Sequence, residues 1–174
     1  MLQLDDPPSF MEAMFAQAAA MHVSALRLDV APALIFASQS RPPDFTGLDD
    51  VVALAQTYHL RVVADLLTIP PWMADCATPT SDPSRCATDD VSSYASMIRQ
   101  IVTRADPVVR DWEVWNEPDT AEFFDGTPQQ YARMLRAAHD AVKAADPADN
   151  VLLGGNLRRG RDGLAGAGPR HARR

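Results

Sequence analysis

Hydrophobic and polar positions along the chain follow two periods, one typical of helices and one typical of strands. Apolar residues that recur every three or four positions indicate amphipathic helices, and strict alternation or a short apolar run indicates a strand. Each predicted helix is followed by a predicted strand, which gives four helix-then-strand units. The helices cover about residues 10–21, 48–59, 90–104 and 127–146, and the strands cover 25–30, 61–67, 110–116 and 151–155.

Two of these helices carry recognisable N-terminal signals. Ser9-Phe-Met-Glu12 matches a capping box, in which a hydroxyl and an acidic or amide side chain satisfy the first free amides of a helix. Thr127-Pro-Gln-Gln130 combines such a box with a proline at the first helical position. We therefore expect helices to begin at both places.

The segment 25–30 alternates strictly between apolar and polar residues. Leu26, Leu28 and Val30 fall on one face of the predicted strand, and Arg27 and Asp29 fall on the other, because successive strand residues point to opposite sides. An apolar face packs against helices, so the charged face is the one available for chemistry.

Four helix-then-strand units in series predict an α/β fold. Parallel neighbours require long connections, and helices supply them. This pattern alone does not separate a (β/α)8 barrel from a doubly wound sheet. Both architectures place active sites at the C-terminal ends of strands, and the longest connections, residues 31–47 and 68–90, follow such ends.

Composition and charge exclude several classes of function. The 174 residues are 47% hydrophobic and 22% charged, with a net charge of −7, which favours a folded domain and argues against a nucleic-acid partner. No apolar run approaches the roughly 18–20 residues needed to cross a bilayer, and the N-terminus has no basic-then-apolar export signal. We expect no membrane association.

The last residues, 157–174, differ in composition from the rest of the chain. They hold 6 Lys/Arg against 1 Asp/Glu, no periodicity and few large apolar residues, so we expect this segment to be disordered. A basic tail for an anionic partner and a non-native end are the two interpretations. Residues 9–156 then form the folded domain.

The two cysteines lie in a stretch rich in Pro, Ser, Thr and Asp. A disulfide between Cys76 and Cys86 would close a loop of about ten residues and stabilise the fold by roughly 2–3 kcal/mol. The alternative is two unpaired surface thiols. A disulfide favours an oxidising, extracellular setting for the parent protein.

The most informative stretch is Trp115-Asn-Glu-Pro118 at the end of a predicted strand. It resembles the fourth-strand signature of the clan A glycoside hydrolases, retaining (β/α)8-barrel enzymes that include families 5 and 39 and enzymes of the cellulase and β-xylosidase type. The neighbouring elements are also similar: Arg27 lies on the equivalent of strand 2, and Pro70-Pro-Trp72 follows the equivalent of strand 3. The resemblance covers about residues 9–156.

The resemblance implies roles for two adjacent residues. Glu117 would be the general acid/base, and Asn116 would hydrogen-bond the sugar 2-hydroxyl. This chemistry suits glycosidic cleavage, in which a carboxylic acid protonates the leaving oxygen and bonds to the 2-hydroxyl strengthen in the transition state. The alternative for Glu117 is a strand-terminal ion pair or cap.

Three further residues are candidates for substrate binding. Arg27 resembles the second-strand arginine that lies beside the family's nucleophile, and the alternative, which is compatible with that role, is an ion pair with Asp29, Asp65 or Glu113 inside the barrel. Trp72 and Trp115 could stack on sugar rings, and loop packing is the alternative for Trp72. Glu113 lies about 13 Å before Glu117 along a strand and is too deep to be the nucleophile.

The remaining expectations concern what the sequence lacks. The four histidines are scattered, so we expect no metal, and no phosphate-binding glycine pattern indicates a cofactor. Residues 1–8 are too short and polar for a first strand, so we expect only the equivalents of strands 2–5 and helices 1–4 of a barrel. The family's nucleophile lies on strand 7. An oligosaccharide or polysaccharide is the expected partner. We expect the isolated chain to be inactive or nearly so, and we expect it to self-associate through exposed strand edges.

Overall fold

The computed structural model describes residues 2–76 and 81–155. In these residues five parallel strands form one sheet, five α-helices connect or flank them, and two short 3-10 helices, Pro71–Met73 and Pro83–Arg85, lie in the connection after the third strand. The strands are β1 (Leu2–Gln3), β2 (Ala25–Val30), β3 (Arg61–Leu66), β4 (Asp111–Val114) and β5 (Asn150–Leu153). The helices are α1 (Pro8–Ala20), α2 (Pro32–Ile35), α3 (Thr46–Tyr58), α4 (Val91–Ala105) and α5 (Pro128–Ala145).

The strands lie in the sheet in the same order as in the chain. Every neighbouring pair is parallel, with Ala25 opposite Arg61 and Val63 opposite Asp111. A doubly wound sheet reverses its strand order at a switch point, whereas barrel strands follow one another in sequence. The predicted α/β fold is confirmed, and the order agrees with a segment of a (β/α)8 barrel.

The expectation that the first strand is absent was wrong. Leu2 pairs with Leu28 of β2, and the side chain of Leu2 is buried. The strand is only two residues long and is held by its backbone pairing to β2. A segment this short shows no alternation of apolar and polar residues, so its sequence carries no strand signal.

The capping box predicted at Ser9 was also wrong. Helix α1 begins at Pro8, and no side chain caps it. The amides of Phe10 and Met11 donate instead to the carbonyl of Pro7, because the proline pair already holds the backbone in a conformation that starts a helix. At α5 the capping box of Thr127 and Gln130 is present, as predicted.

One face of the sheet packs against the helices and forms the core. Its side chains are apolar and almost completely buried, and helices α4 and α5 pack against each other outside it. The alternation in β2 therefore places its apolar residues towards the helices, as predicted. The buried residues of this face are Leu28, Val30, Val62, Ala64, Leu66, Trp112 and Val114.

The long connection after β3 is fastened by a disulfide. Cys76 and Cys86 are bonded, with 5.0 Å between their Cα atoms. The amide of Asp75 donates to the carbonyl of Ala87, so the two sides of the loop also pair through their backbones. Residues 77–80 of this loop and the predicted disordered segment 157–174 lie outside the described residues.

Candidate functional site

Three acidic side chains lie side by side on the face of the sheet that the helices do not cover. Asp29 of β2 is the register partner of Asp65 of β3, and Asp65 is the register partner of Glu113 of β4. All three are at most 9% exposed. Three adjacent buried carboxylates repel one another, so this arrangement requires a nearby cation or bound protons.

Arg27 supplies that cation. Its Nε donates to Glu113 Oε2 at 2.6 Å, and its Nη2 donates to Asp65 Oδ2 at 2.8 Å. The same Nη2 donates to Asn116 Oδ1 at 3.0 Å. The internal ion pair considered from the sequence is therefore present. The guanidinium also ties three neighbouring strands to the amide that follows β4.

Burial controls the protonation of this cluster. It raises the pKa of Asp65 to about 8, and the positive charge of Arg27 only partly opposes this effect. Burial also raises the pKa of Asp29, again against Arg27. The hydrogen bond with Glu113 raises the pKa of Arg27, which keeps the guanidinium charged. One cation cannot balance three carboxylates, so the cluster retains a proton near neutral pH.

Asn116 and Glu117 lie just beyond the C-terminal end of β4. The strand ends at Val114, two residues earlier than predicted, because Trp115 and Glu117 have positive φ values of 70° and 44°. This backbone conformation is uncommon for residues other than glycine and turns the chain sharply. Asn116 is buried, and its Oδ1 accepts from Arg27, which leaves its amide nitrogen as a donor.

The Glu117 side chain is half-buried at the edge of the sheet. Its carboxylate has no hydrogen bond or ion pair with any residue in 2–76 or 81–155. Its backbone carbonyl accepts from the amide and the hydroxyl of Thr120, at 3.0 and 3.1 Å. The turn is therefore fixed through the backbone, and the carboxylate remains available for a ligand.

Trp115 does not present a face on which a sugar could stack. The residue is 0% exposed, and its Nε1 donates to the carbonyl of Phe123 at 2.9 Å. Its ring packs edge to face against Phe124, with 5.2 Å between centroids. This burial disagrees with the sugar-stacking role predicted for Trp115. The indole instead anchors the loop that follows Glu117.

Trp72 lies partly exposed in the connection after β3. Its Nε1 donates to the carbonyl of Phe36 at 2.8 Å, which joins the two long connections at this edge of the sheet. The ring also packs against the hydrophobic core. Loop packing is therefore present, and an exposed part of the side chain remains.

Several residues support the site but were not predicted to be site residues. Gly155 donates its amide to Glu113 Oε1 at 3.0 Å, and Tyr131 donates its hydroxyl to the carbonyl of Val114 at 2.9 Å. A Cβ on Gly154 would lie 2.4 Å from the carbonyl oxygen of Trp115, so only glycine fits there. Tyr131 carries no signal in the sequence, because its contact is set by the docking of α5.

A separate acidic group lies at the opposite end of the sheet. Asp106, Asp146 and Asp149 each bring one carboxylate oxygen within 4.8 Å of the others. Arg110 pairs with Asp146 at 3.2 Å and reaches Asp149 at 4.0 Å, which supplies positive charge.

No helix among the described residues is long and apolar enough to cross a membrane.

Comparison with known proteins gives matches to solved structures alone. No protein-family model and no curated protein matches the chain. A glucosidase from Croceicoccus marinus is 20% identical, with a TM-score of 0.64 over 82% of this chain and 32% of its own. A family 39 glycoside hydrolase from Bacteroides cellulosilyticus is 17% identical, with a TM-score of 0.66 over 88% of this chain and 31% of its own.

An exo-β-1,4-mannosidase from an Opitutaceae bacterium is similar to the same extent. It is 20% identical, with a TM-score of 0.65 over 85% of this chain and 28% of its own. The chain thus spans about a third of the length of these structures. The polar cluster lies at the sheet edge where barrel enzymes keep their active sites. The chain has the fold of part of the (β/α)8 barrel found in these glycoside hydrolases.

Proposed function

We propose that this chain carries the acid/base part of the active site of a retaining O-glycoside hydrolase. Glu117 is the general acid/base, and Asn116 binds the 2-hydroxyl of the sugar to be cleaved. One observation carries the proposal: at the C-terminal edge of the sheet, an unpartnered carboxylate follows an amide that Arg27 holds in place. Barrel enzymes place their catalytic groups at this edge.

The proposed chemistry assigns a different task to each group. Glu117 donates a proton to the leaving glycosidic oxygen and later removes a proton from the attacking water. The amide nitrogen of Asn116 donates to the 2-hydroxyl, because its oxygen is already occupied by Arg27. Glu113 and Asp65 act through Arg27 by fixing the orientation of Asn116.

A retaining mechanism also needs a nucleophile about 5–5.5 Å from the acid/base. In the family that the chain resembles, this carboxylate follows the seventh strand, and the described residues contain five strands. We therefore expect the chain alone to be inactive or nearly so. A second polypeptide segment would complete the site.

The substrate class follows from the similar structures and remains part of the proposal. Their names include a glucosidase and an exo-β-1,4-mannosidase, so we propose β-linked oligosaccharides or polysaccharides as substrates. The Cys76–Cys86 disulfide favours an extracellular setting for the parent enzyme, because such bonds persist in oxidising compartments.

A second candidate is a non-catalytic carbohydrate-binding fragment. The five described strands favour it, because they provide a polar edge without the seventh-strand nucleophile. Sugar binding that survives Glu117→Ala, with no hydrolysis by any longer product of the gene, would favour this candidate over the enzyme.

The experiment compares leaving groups of different acidity. The longest product of the coding region is assayed with 4-nitrophenyl, 2,4-dinitrophenyl and unactivated β-glycosides, as wild type and as Glu117→Gln. A general acid contributes about 10²–10⁴-fold to the rate of the step in which the leaving group departs. The loss of kcat/KM in Glu117→Gln should therefore be largest for the unactivated glycoside and smallest for the dinitrophenyl glycoside. Glu122→Gln, an exposed glutamate in the same loop, is the control and should change little. An equal loss for all leaving groups would contradict the role of Glu117.

A further inference from the structure

The connection after β3 and the loop after β4 are joined by a short backbone ladder at the C-terminal edge of the sheet. Residues 115–127, between β4 and α5, form the Glu117 loop. Asp125 of this loop donates its amide to the carbonyl of Arg85 at 2.8 Å, and its carbonyl accepts from the amide of Ala87 at 3.1 Å. The Glu117 loop is therefore attached to the connection after β3 at this point.

Cys86 lies in the middle of this ladder and is cross-linked to Cys76. On one side, Cys86 is the parallel bridge partner of Asp125 in the Glu117 loop. On the other side, the amide of Asp75 donates to the carbonyl of Ala87 at 2.8 Å, and these two residues form an antiparallel bridge. Cys86 and Ala87 are both 0% exposed. The disulfide thus fixes a buried segment that lies between two others, one of which belongs to the Glu117 loop.

The disulfide-linked segment and the Glu117 loop pack closely. A Cβ on Gly126 would lie 2.9 Å from the Cβ of Ala87 and 2.8 Å from the ring of Phe124, so only glycine fits there. Arg85 donates from Nη1 to the carbonyl of Glu122 at 2.8 Å, which attaches the loop at a second point. Because these contacts leave no free space, the loop follows any displacement of the disulfide-linked segment.

Contacts inside the loop extend this attachment to Glu117. The carbonyl of Phe123 accepts from Nε1 of Trp115 at 2.9 Å, and the carbonyl of Glu117 accepts from the amide of Thr120 at 3.0 Å. Trp115 and Glu117 both have positive φ, a conformation that persists only where the surrounding structure holds it. The loop therefore has to stay in place for the turn at Glu117 to keep its conformation.

We propose that the Cys76–Cys86 disulfide positions the Glu117 loop, and that its reduction releases this loop while the sheet and the helices stay folded. The cross-link removes the opened conformations in which Cys86 separates from Cys76. Local opening of a loop costs less free energy than the unfolding of core strands. The coupling of the disulfide to the loop follows from the contacts alone, whereas its effect on catalysis rests on the proposed function.

Reduction is a two-electron thiol–disulfide exchange with a dithiol reductant. Cys76 is partly exposed and Cys86 is buried, so a thiolate of the reductant attacks Cys76 Sγ. The S–S bond breaks, and Cys86 leaves as a thiolate that takes up a proton. The second thiol of the reductant then displaces Cys76 from the mixed disulfide. The reductant ends as a disulfide, and the chain gains two electrons and two protons.

The test is hydrogen exchange of the ¹⁵N-labelled chain, measured by NMR with and without dithiothreitol. The amides of Ala87 and Asp125 and the indole Nε1–H of Trp115 should exchange at least about tenfold faster in the reduced chain, because their hydrogen bonds form the loop and its attachment. The amides of Leu28 and Ala64, in the centre of the sheet, should keep their exchange rates. Unchanged exchange at the first three groups would overturn the proposal. An equal increase at Leu28 and Ala64 would also overturn it, because the disulfide would then hold the whole fold.

Two variants separate the disulfide from other effects of the reductant. Cys76→Ser with Cys86→Ser should show the fast exchange without dithiothreitol, and the reductant should change nothing further, because the chain has two cysteines. Arg85→Met keeps the disulfide and removes a side-chain bond to the Glu117 loop, so it should speed exchange of the Trp115 indole by about 2–10-fold. Arg99→Met, at an exposed position on α4, is the matched control and should not.

An activity assay separates this proposal from the proposed function. For a longer product of the gene, reduction should lower kcat/KM more for an unactivated glycoside than for a dinitrophenyl glycoside, as is expected for Glu117→Gln, and should have no such effect in Glu117→Gln itself. An equal loss for both leaving groups would overturn the effect on catalysis. Faster exchange of the loop in a protein without hydrolytic activity would remove the enzyme proposal and leave the coupling between the disulfide and the loop.

Discussion

Replacing Asp65 by asparagine tests the electrostatic account of the polar cluster. Asp65 is fully buried, and burial raises its pKa to about 8, whereas an unfolded aspartate titrates near 3.9. The folded state therefore holds a proton that the unfolded state has lost between these two values. Asparagine resembles the protonated acid in size and stays neutral at every pH.

The sign of the pH effect follows from the direction of this difference. A raised pKa contributes stability that is fully present below the unfolded pKa and is lost as the pH rises through the folded pKa. Because each pKa unit corresponds to about 1.4 kcal/mol, the loss between pH 4 and pH 8 has an upper bound of about 5 kcal/mol. The wild-type chain should lose stability over this range, and Asp65→Asn should not lose the part due to Asp65.

The assay is urea unfolding followed by tryptophan fluorescence at intervals from pH 4 to pH 9. The difference in unfolding free energy between Asp65→Asn and wild type should be close to zero at pH 4. It should grow in favour of the variant up to about pH 8. Asp50→Asn, at an exposed position, provides the matched control for the replacement of one aspartate by asparagine. If the difference in unfolding free energy for Asp65→Asn did not change with pH, Asp65 would not hold a proton in the folded state at neutral pH. Arg27 would then neutralise its carboxylate completely.

The other predictions concern the ion pair, the disulfide and the sheet edge. Arg27→Met should lower the unfolding free energy by about 2–3 kcal/mol at pH 8. This is below the usual cost of breaking a buried ion pair, because the Arg27 side chain is 31% exposed. An unchanged urea midpoint would contradict this prediction. Cys76→Ser with Cys86→Ser should cost about 2–3 kcal/mol, and dithiothreitol should shift the wild-type thermal midpoint in the same direction. Leu153→Lys should reduce self-association measured by light scattering, and Gln56→Lys, which adds the same charge elsewhere, should not.

Self-association is expected because of the exposed residues of the last strand. Within the described part of the chain, β5 pairs with β4 alone, and Leu152 and Leu153 are 39% and 55% exposed. An unpaired strand with exposed apolar side chains is a template for pairing with another chain. Light scattering that shows a monomer at high concentration would contradict this expectation.

The regular part of the fold could be predicted from the sequence. Long amphipathic helices and the alternation in β2 carry strong periodic signals, and helix α5 carries an explicit cap. Strand β1 could not be predicted, because two residues are too few to show a period and its pairing depends on backbone hydrogen bonds to β2. The start of α1 was missed because Pro7 and Pro8 replace a capping side chain.

The motif of the site and the ion pairing of Arg27 could be predicted from the sequence, but the other contacts could not. Strand alternation and strand end indicate that Arg27, Asn116 and Glu117 lie at one polar edge. The register between strands, which sets Asp65 beside Glu113, is a tertiary property that no single strand encodes. The burial of Trp115 likewise depends on Phe123 and Phe124, which the following loop brings over the ring.

Unfavourable backbone conformations and buried oxygens without hydrogen bonds are most frequent at the C-terminal ends of the strands. Of the five non-glycine residues with positive φ in the described chain, His22 and His59 follow helix ends, and Thr68, Trp115 and Glu117 lie at the C-terminal strand ends. Three of the five buried side-chain oxygens without a hydrogen bond among the described residues, on Asp29, Asp65 and Thr68, lie at or near the same end, and the other two are on Tyr94 and Asp149. Left-handed residues at helix ends are common because they satisfy the last helical carbonyls, whereas positive φ at strand ends is uncommon for residues other than glycine.

Selection for stability alone would remove these features, since an apolar replacement for a buried ion pair is often neutral or stabilising. Strain and unpaired polar atoms persist where they orient groups for a ligand. Their shared location, together with the unpartnered carboxylate of Glu117, is therefore better explained by a binding and catalytic edge than by a structural one. Asp65→Asn is informative for this reason: near neutral pH it should stabilise the chain, and a functional site explains why the less stable aspartate is present.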